Sequence, residues 1–396
     1  MRSVFEVAGV LLRTAALAVG VGVLLGVLTK AVIELFNGVI VVLWTWLPDQ
    51  LGVDPSSFFY LAAVLGVGGV LVGLGQRYLG YHPRPLEQVR ADVERGVGVD
   101  TRTIPRTLGN SVASLGFGAP LGPEAALVAV VGGTFAWAKR YMEALALRTY
   151  GLLRGRPEDY AARAWRYAPA VVAVVVLVIV FRALPGGVDL TFVPRSVDPG
   201  SPSALAQALL AGAVGGVLGL ISSQVEARMR DLRLYDRAPV LVALAGGLVV
   251  AVLATPSFLV LFSGTEDMRL LFDGSQSPAA LTYGAAAKWL AMMVVFATGW
   301  KGGPVFPLIF VAGALAVAAS AGVGVVPVIL YAGGIAGAAT GALRSMAAGA
   351  LVTLLVVPAS LFTLILAGAA GAGVVLFAVL RVSGDTVPSD GEPRSG

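Results

Sequence analysis

Cysteine is missing from all 396 residues, and histidine occurs once, at His82. The first absence excludes disulfides and thiolate chemistry and leaves the redox compartment unreadable. The two together argue against a zinc site built from the usual His and Cys ligands, so neither a metal nor another cofactor is expected. Charge is scarce as well. Charged residues make up 13% of the chain, where a typical soluble domain carries about 25%. No Gly-x-Ser-x-Gly occurs and the lone histidine falls in a predicted loop, so a nucleophile and base are lacking and no enzyme is expected.

What is abundant is apolar. Hydrophobic residues reach 57% and glycine contributes 51 residues, with a mean hydropathy of +0.85. Apolar segments fall at 4–29, 31–47, 58–75, 108–118, 121–138, 167–184, 204–223, 238–262, 281–299, 304–320, 326–343, 346–358 and 360–380. This predicts an all-α polytopic membrane protein whose natural partner is the lipid bilayer. Several segments are too short to span about 30 Å, which points to broken or re-entrant helices. The first run resembles a signal peptide, but it is long, contains Arg13 and has no convincing cleavage site; it is read as the first membrane helix.

The loops sort by charge. Residues 76–106, 139–166 and 224–237 are rich in arginine, whereas 48–57 has no Lys or Arg and 185–203 and 263–280 have one each. The positive-inside rule places the first group in the cytoplasm, with both termini, and the second outside. A net charge of +5 then reports topology, and no nucleic-acid partner is expected. Between the two inside loops at 76–106 and 139–166, the apolar stretch 108–138 is split at "GFGAPLGP". Its Gly/Pro density favours half-helices meeting within the membrane over two helices that cross and return. The tail at 381–396 reads as disordered.

An internal repeat lies at that split. "GPEAALVAVVG" (122–132) and "GPVFPLIFVAG" (303–313) align without a gap at an offset of 181 residues (303 minus 122). Each follows a Gly-rich break and opens an apolar helix, and proline suits a helix start because its missing N–H costs nothing there. Two helices starting inside the membrane aim free N–H groups and positive dipole ends inward. The backbone amides of Gly122, Ala125, Ala126, Val305 and Phe306 would thus form an anion site. Glu124 in the first copy aligns with Val305 in the second. An intramembrane carboxylate is costly and usually functional, though a glutamate is also ordinary in a first helical turn.

These residues resemble the CLC family of chloride channels and chloride/proton antiporters. "LGPEAAL" is similar to the family's Gly-x-Glu-Gly-Pro segment, whose glutamate is the gate, with the proline here before Glu124. "GWKGGPVFPLIF" resembles the Gly-Gly-x-Phe-x-Pro segment; alignment on Gly302, Gly303 and Pro307 puts Val305 at the phenylalanine position and Phe306 one residue later. "YHPRP" (81–85) is the nearest match to Gly-Ser-Gly-Ile-Pro, so the resemblance would set His82 where the family has its anion-binding serine; the alternative is a plain loop histidine beside two prolines. The family's second, cytoplasm-side glutamate and its late pore tyrosine have no clear counterpart.

The resemblance implies an inverted-repeat bundle with broken and re-entrant helices, of a divergent prokaryotic type without a C-terminal regulatory domain, forming a homodimer in the plasma membrane. Its halves would be 1–184, with the Gly-Pro-Glu half-helix, and 185–380, with the Gly-Gly-Pro-Val-Phe-Pro half-helix. It further implies transport of chloride or a similar small anion, gated by Glu124, with channel and proton-coupled modes both open. Lys301 is a candidate for the anion path, Lys288 is read as a snorkelling interfacial residue, and Arg344 as an ion pair or interfacial residue. Alternatives are a secondary transporter of another solute, and a protein of the same fold that has lost transport.

Overall fold

The computed structural model describes residues 4–80, 103–154, 160–184 and 197–382. They fold almost entirely into helices: α1 Val4–Val41, α2 Leu47–Leu51, α3 Phe58–Leu79, α4 Ile104–Leu115, α5 Glu124–Leu127, α6 Gly133–Arg154, α7 Tyr160–Ala183, α8 Pro202–Asp231, α9 Pro239–Ala254, α10 Pro278–Ala297, α11 Val305–Val323, α12 Pro327–Leu343, α13 Met346–Val356 and α14 Phe362–Val382. Among the described residues six helices are long and apolar enough to cross a membrane, and shorter apolar helices such as Pro327–Leu343 and Met346–Val356 lie among them.

Three boundaries differ from the sequence expectation. The segments 4–29 and 31–47 are one helix: α1 runs through Lys30 and passes by a π-helical turn, Val42–Trp46, into α2. Lys30 does not break it because its ammonium pairs with Glu34 one turn on, at 2.5 Å. The stretch 139–166, read as a polar loop, is helical at 139–154 and again from 160, as parts of α6 and α7. Segment 238–262 divides into α9 and a short 3-10 turn, Phe258–Val260. The expected break at "GFGAPLGP" is present. α4 stops at Leu115, and helix resumes at Glu124 and passes through a π turn, Val128–Gly132, into α6.

Close backbone approach holds the bundle together, as expected where lipid removes much of the hydrophobic drive between helices. A Cβ on Gly337 of α12 would strike the carbonyl of Gly212 on α8, and one on Gly69 of α3 would meet the backbone of Ala243 on α9. Around these seams sit three apolar cores. One gathers α8 and α10 to α14 about Phe310, Tyr331 and Ile335. A second joins α3, α9 and α10 through Leu65, Met292 and Trp300, so residues before 184 and after 185 share it. The third is a small cluster of α1, α6 and α7 about Leu25 and Met142. Large apolar side chains such as Leu12, Val214 and Val374 remain on the outside, the surface a bilayer would cover.

Candidate functional site

The two copies of the repeat meet. Gly122 and Gly303 form an isolated antiparallel bridge, each N–H donating to the other's carbonyl at 2.8 Å. The residues that follow are also equivalent: Pro123 caps the helix that begins at Glu124, and Pro304 caps the helix that begins at Val305. Two helix N-termini are therefore brought together by one pair of hydrogen bonds.

Glu124 fills the space between them. Its Oε1 accepts from the Phe306 N–H at 2.6 Å, so the side chain of the first helix caps the second. A Cβ on either bridging glycine, Gly122 or Gly303, would strike the carboxylate. A side chain at either position would therefore displace the carboxylate. The other oxygen, Oε2, is sealed from solvent and has no hydrogen-bond partner among the described residues. Of the amides expected to face an anion, that of Gly122 is engaged by Gly303 and that of Phe306 by Glu124. Those of Ala125, Ala126 and Val305 lie in first turns, where no intrahelical acceptor is available; Ala126 and Val305 are buried.

The segment between α10 and α11 carries the remaining polar contacts. Gln76 Nε2 donates to the Gly299 carbonyl at 2.6 Å, and the Lys301 N–H donates to Ser114 Oγ at 2.8 Å. Arg230 reaches the Gly302 carbonyl at 3.5 Å while its Nε holds Glu226 at 2.9 Å. Lys301, expected in the anion path, is buried, with its ammonium over the Tyr235 ring at 5.6 Å. His82 lies outside the described residues. Arg344 is exposed and ends α12 in a left-handed conformation, φ 50°, away from this junction.

Lys288 corrects the expectation. It is fully buried and does not snorkel: its ammonium donates to the Leu261 carbonyl at 2.5 Å and the Phe262 carbonyl at 3.0 Å, and lies over the Phe310 ring at 4.8 Å. Phe262 needs this support, since a non-glycine residue at φ 57° is strained. The segment it holds lines a cavity of about 410 Å³ whose walls include Leu121, Pro123, Phe262, Asp267 and Phe306. The cavity thus reaches the residues on both sides of Glu124. Burial pushes the Asp267 carboxyl up from its ordinary range, against the opposing pull of Lys288 and Arg269.

The residues that sequence reasoning missed are Gln76, Ser114 and Arg230. A signal for Ser114 was present: Thr107, Asn110, Ser111 and Ser114 recur at helical spacing on α4, and all four are buried. A polar stripe of period 3.6 turned inward in an apolar protein marks a site as surely as an apolar stripe marks a core.

Comparison with known proteins places the chain in context. Residues 158–377 match the family described as voltage gated chloride channel; Glu124 lies before that stretch. Among named relatives, the chain is 24% identical over 317 residues to YfeO of Salmonella schwarzengrund, a candidate ion-transport protein by name, covering 72% of this chain and 75% of that one. YfeO of Escherichia fergusonii is 26% identical over 330 residues, covering 75% and 77%. Among solved structures, a slow cyanobacterial Cl⁻/H⁺ antiporter superposes with a TM-score of 0.72 at 16% identity, over 94% of this chain and 99% of that one. A CLC-type fluoride/proton antiporter gives 0.67 at 17% identity, over 94% and 96%. These likenesses establish the fold: an all-helical membrane bundle with interrupted helices.

Proposed function

The chain belongs to the voltage gated chloride channel family, and from that premise we propose that it moves chloride or a similar small anion across a membrane with Glu124 as the gate. It is an integral membrane protein. The observation that carries the gating reading is the hydrogen bond from Phe306 N–H to Glu124 Oε1 at 2.6 Å. A carboxylate held at two converging helix N-termini occupies the position that favours any anion.

The mechanism follows from competition. Ionised Glu124 takes the Phe306 amide and closes the junction. Protonation removes its charge and weakens that bond, since a hydrogen bond to an ionised acceptor is about twice as strong as a neutral one. Once the side chain leaves, the amides of Phe306, Val305, Ala125 and Ala126 are free to hold a transported anion. Gly122 and Gly303 keep the two helix starts in register throughout. Lys301 contributes positive potential from beneath the junction. The halves 1–184 and 185–380 meet at this point in the same reading, and family membership supports a homodimer in a prokaryotic plasma membrane.

The test is anion efflux from liposomes carrying the purified protein, for wild type and Glu124→Gln, at pH 5 and 7.5. The variant's efflux is expected to be higher at pH 7.5 and to lose its pH dependence. A variant that matches wild type at both values removes Glu124 from the gate, and a wild type that moves neither chloride nor fluoride identifies a protein that has kept the fold without transport.

A further inference from the structure

The turn that follows α9 is held at both ends of one residue. Phe262 gives its N–H to the Gly118 carbonyl at 3.3 Å, inside the break that precedes Glu124. Its own carbonyl accepts from the Lys288 ammonium at 3.0 Å. Its ring stands edge-on to that of Trp44, with centroids 5.3 Å apart. Trp44 belongs to the π-helical turn Val42–Trp46 and gives its indole N–H to the Gly116 carbonyl at 3.0 Å; a Cβ on Gly118 would strike its ring. Phe262 and Trp44 therefore grip the same short stretch of the break.

Nothing local favours this conformation of Phe262. An aromatic residue keeps φ 57° only when its surroundings enforce it. The enforcing group is Lys288, whose ammonium takes the Leu261 and Phe262 carbonyls together and lies over the Phe310 ring. Gly264 presses on the same ring, since a Cβ there would strike it. Lys288 is fully buried, and Asp267, further along the turn, is a carboxylate that feels its charge. An ammonium offers three donors and no acceptor, so a neutral side chain of similar length cannot hold two carbonyls at once.

What Phe262 faces gives this clamp a role. With Leu121, Pro123 and Phe306 it lines the cavity of about 410 Å³ that reaches both sides of Glu124. None of these four side chains has a hydrogen-bond donor, so an ion passing them sheds water without compensation. We propose that Lys288 is a positioning residue for anion selection: by clamping Phe262 to the break it fixes the width of this apolar collar. That width sets how much water an anion must lose before it reaches the amides at Glu124. Weakly hydrated nitrate then passes more readily than chloride, and chloride more readily than fluoride. The inference rests on the junction at Glu124 being the anion path, and adds to that reading a residue that acts through Phe262.

The experiment measures efflux of nitrate, chloride and fluoride at pH 5 and 7.5 from liposomes carrying wild type, Lys288→Met, Phe262→Gly or both substitutions. Wild type is expected to pass the three anions in that order. Each single variant is expected to narrow the nitrate-to-fluoride ratio by about tenfold and to keep the pH dependence set by Glu124. The double variant narrows it no further, because both changes act on one element. Glycine takes φ 57° without strain, so where Lys288→Met alone does not fold, Phe262→Gly is compared with the double variant: equal ratios support the clamp and unequal ratios overturn it. A ratio unchanged in Phe262→Gly, or effects that add in the double variant, overturns the inference. A wild type that passes the three anions alike does so too, and leaves the gate at Glu124 standing. A wild type that moves none of them overturns the functional reading instead.

Discussion

Gly122 and Gly303 hold each other by two backbone hydrogen bonds of 2.8 Å, and they are the equivalent residues of the two repeat copies. A pairing of this kind needs no side chain, and a Cβ at either position meets the Glu124 carboxylate.

Replacing Gly303 by alanine is therefore expected to do from outside what protonation does from within. The methyl evicts the carboxylate from the Phe306 amide, a bond of the charge-assisted kind worth about 1.5–3 kcal/mol, or about ten- to a hundredfold in gate occupancy. Anion efflux from liposomes at pH 7.5 should rise toward that of Glu124→Gln. Efflux at the wild-type level in a well-folded Gly303→Ala protein would show that the carboxylate does not occupy the path.

Lys288→Met keeps the volume of the side chain and removes its donors. The carbonyls of Leu261 and Phe262 then lose the ammonium that bonds them, at about 1–3 kcal/mol for each buried group left unsatisfied. The expected result is a lower melting temperature in detergent, with faster proteolysis near Phe262. An interfacial lysine would give neither.

The Asp267 carboxyl has its pKa raised by burial. A group whose folded value lies above its unfolded value gives its full stabilisation below the ordinary carboxylate range and loses it as pH rises through the raised value. Asp267→Asn is accordingly expected to raise the melting temperature at neutral pH and to change it little at pH 4. The opposite pattern would mean that attraction to Lys288 and Arg269 outweighs burial.

Two glycine substitutions separate packing from propensity. At Gly337 a new Cβ meets the Gly212 backbone, whereas at Gly322 it meets nothing within 4 Å. Gly337→Ala should cost about 1–3 kcal/mol by overpacking, visible as aggregation on size-exclusion chromatography. Gly322→Ala should leave the protein monodisperse and slightly more stable.

How much of this was legible in the sequence depends on what each residue's role rests on. The helix starts at Glu124 and Val305 were readable, because Gly-Pro chemistry is local and the repeat doubled the signal. The continuity of α1 through Lys30 was not, since its partner Glu34 rescues the charge only once the helix exists. Lys288 was misread for a related reason: a lone lysine in an apolar run defaults to the interface, and the carbonyls that hold it, at 261 and 262, come from a loop whose path no periodicity reveals. The pairing of Gly122 with Gly303 could not be seen either. Alignment shows that two segments are alike, and only the fold shows that they touch.

That contact has one more consequence. Two Gly-Pro turns paired backbone to backbone would by themselves form an object with no front or back. A carboxylate on one copy, with valine at the matching position of the other, abolishes the equivalence. The difference in charge between the two turns is thus written in one pair of positions, 124 and 305, beside the smaller differences in shape that follow, Ala125 against Phe306 and Ala126 against Pro307.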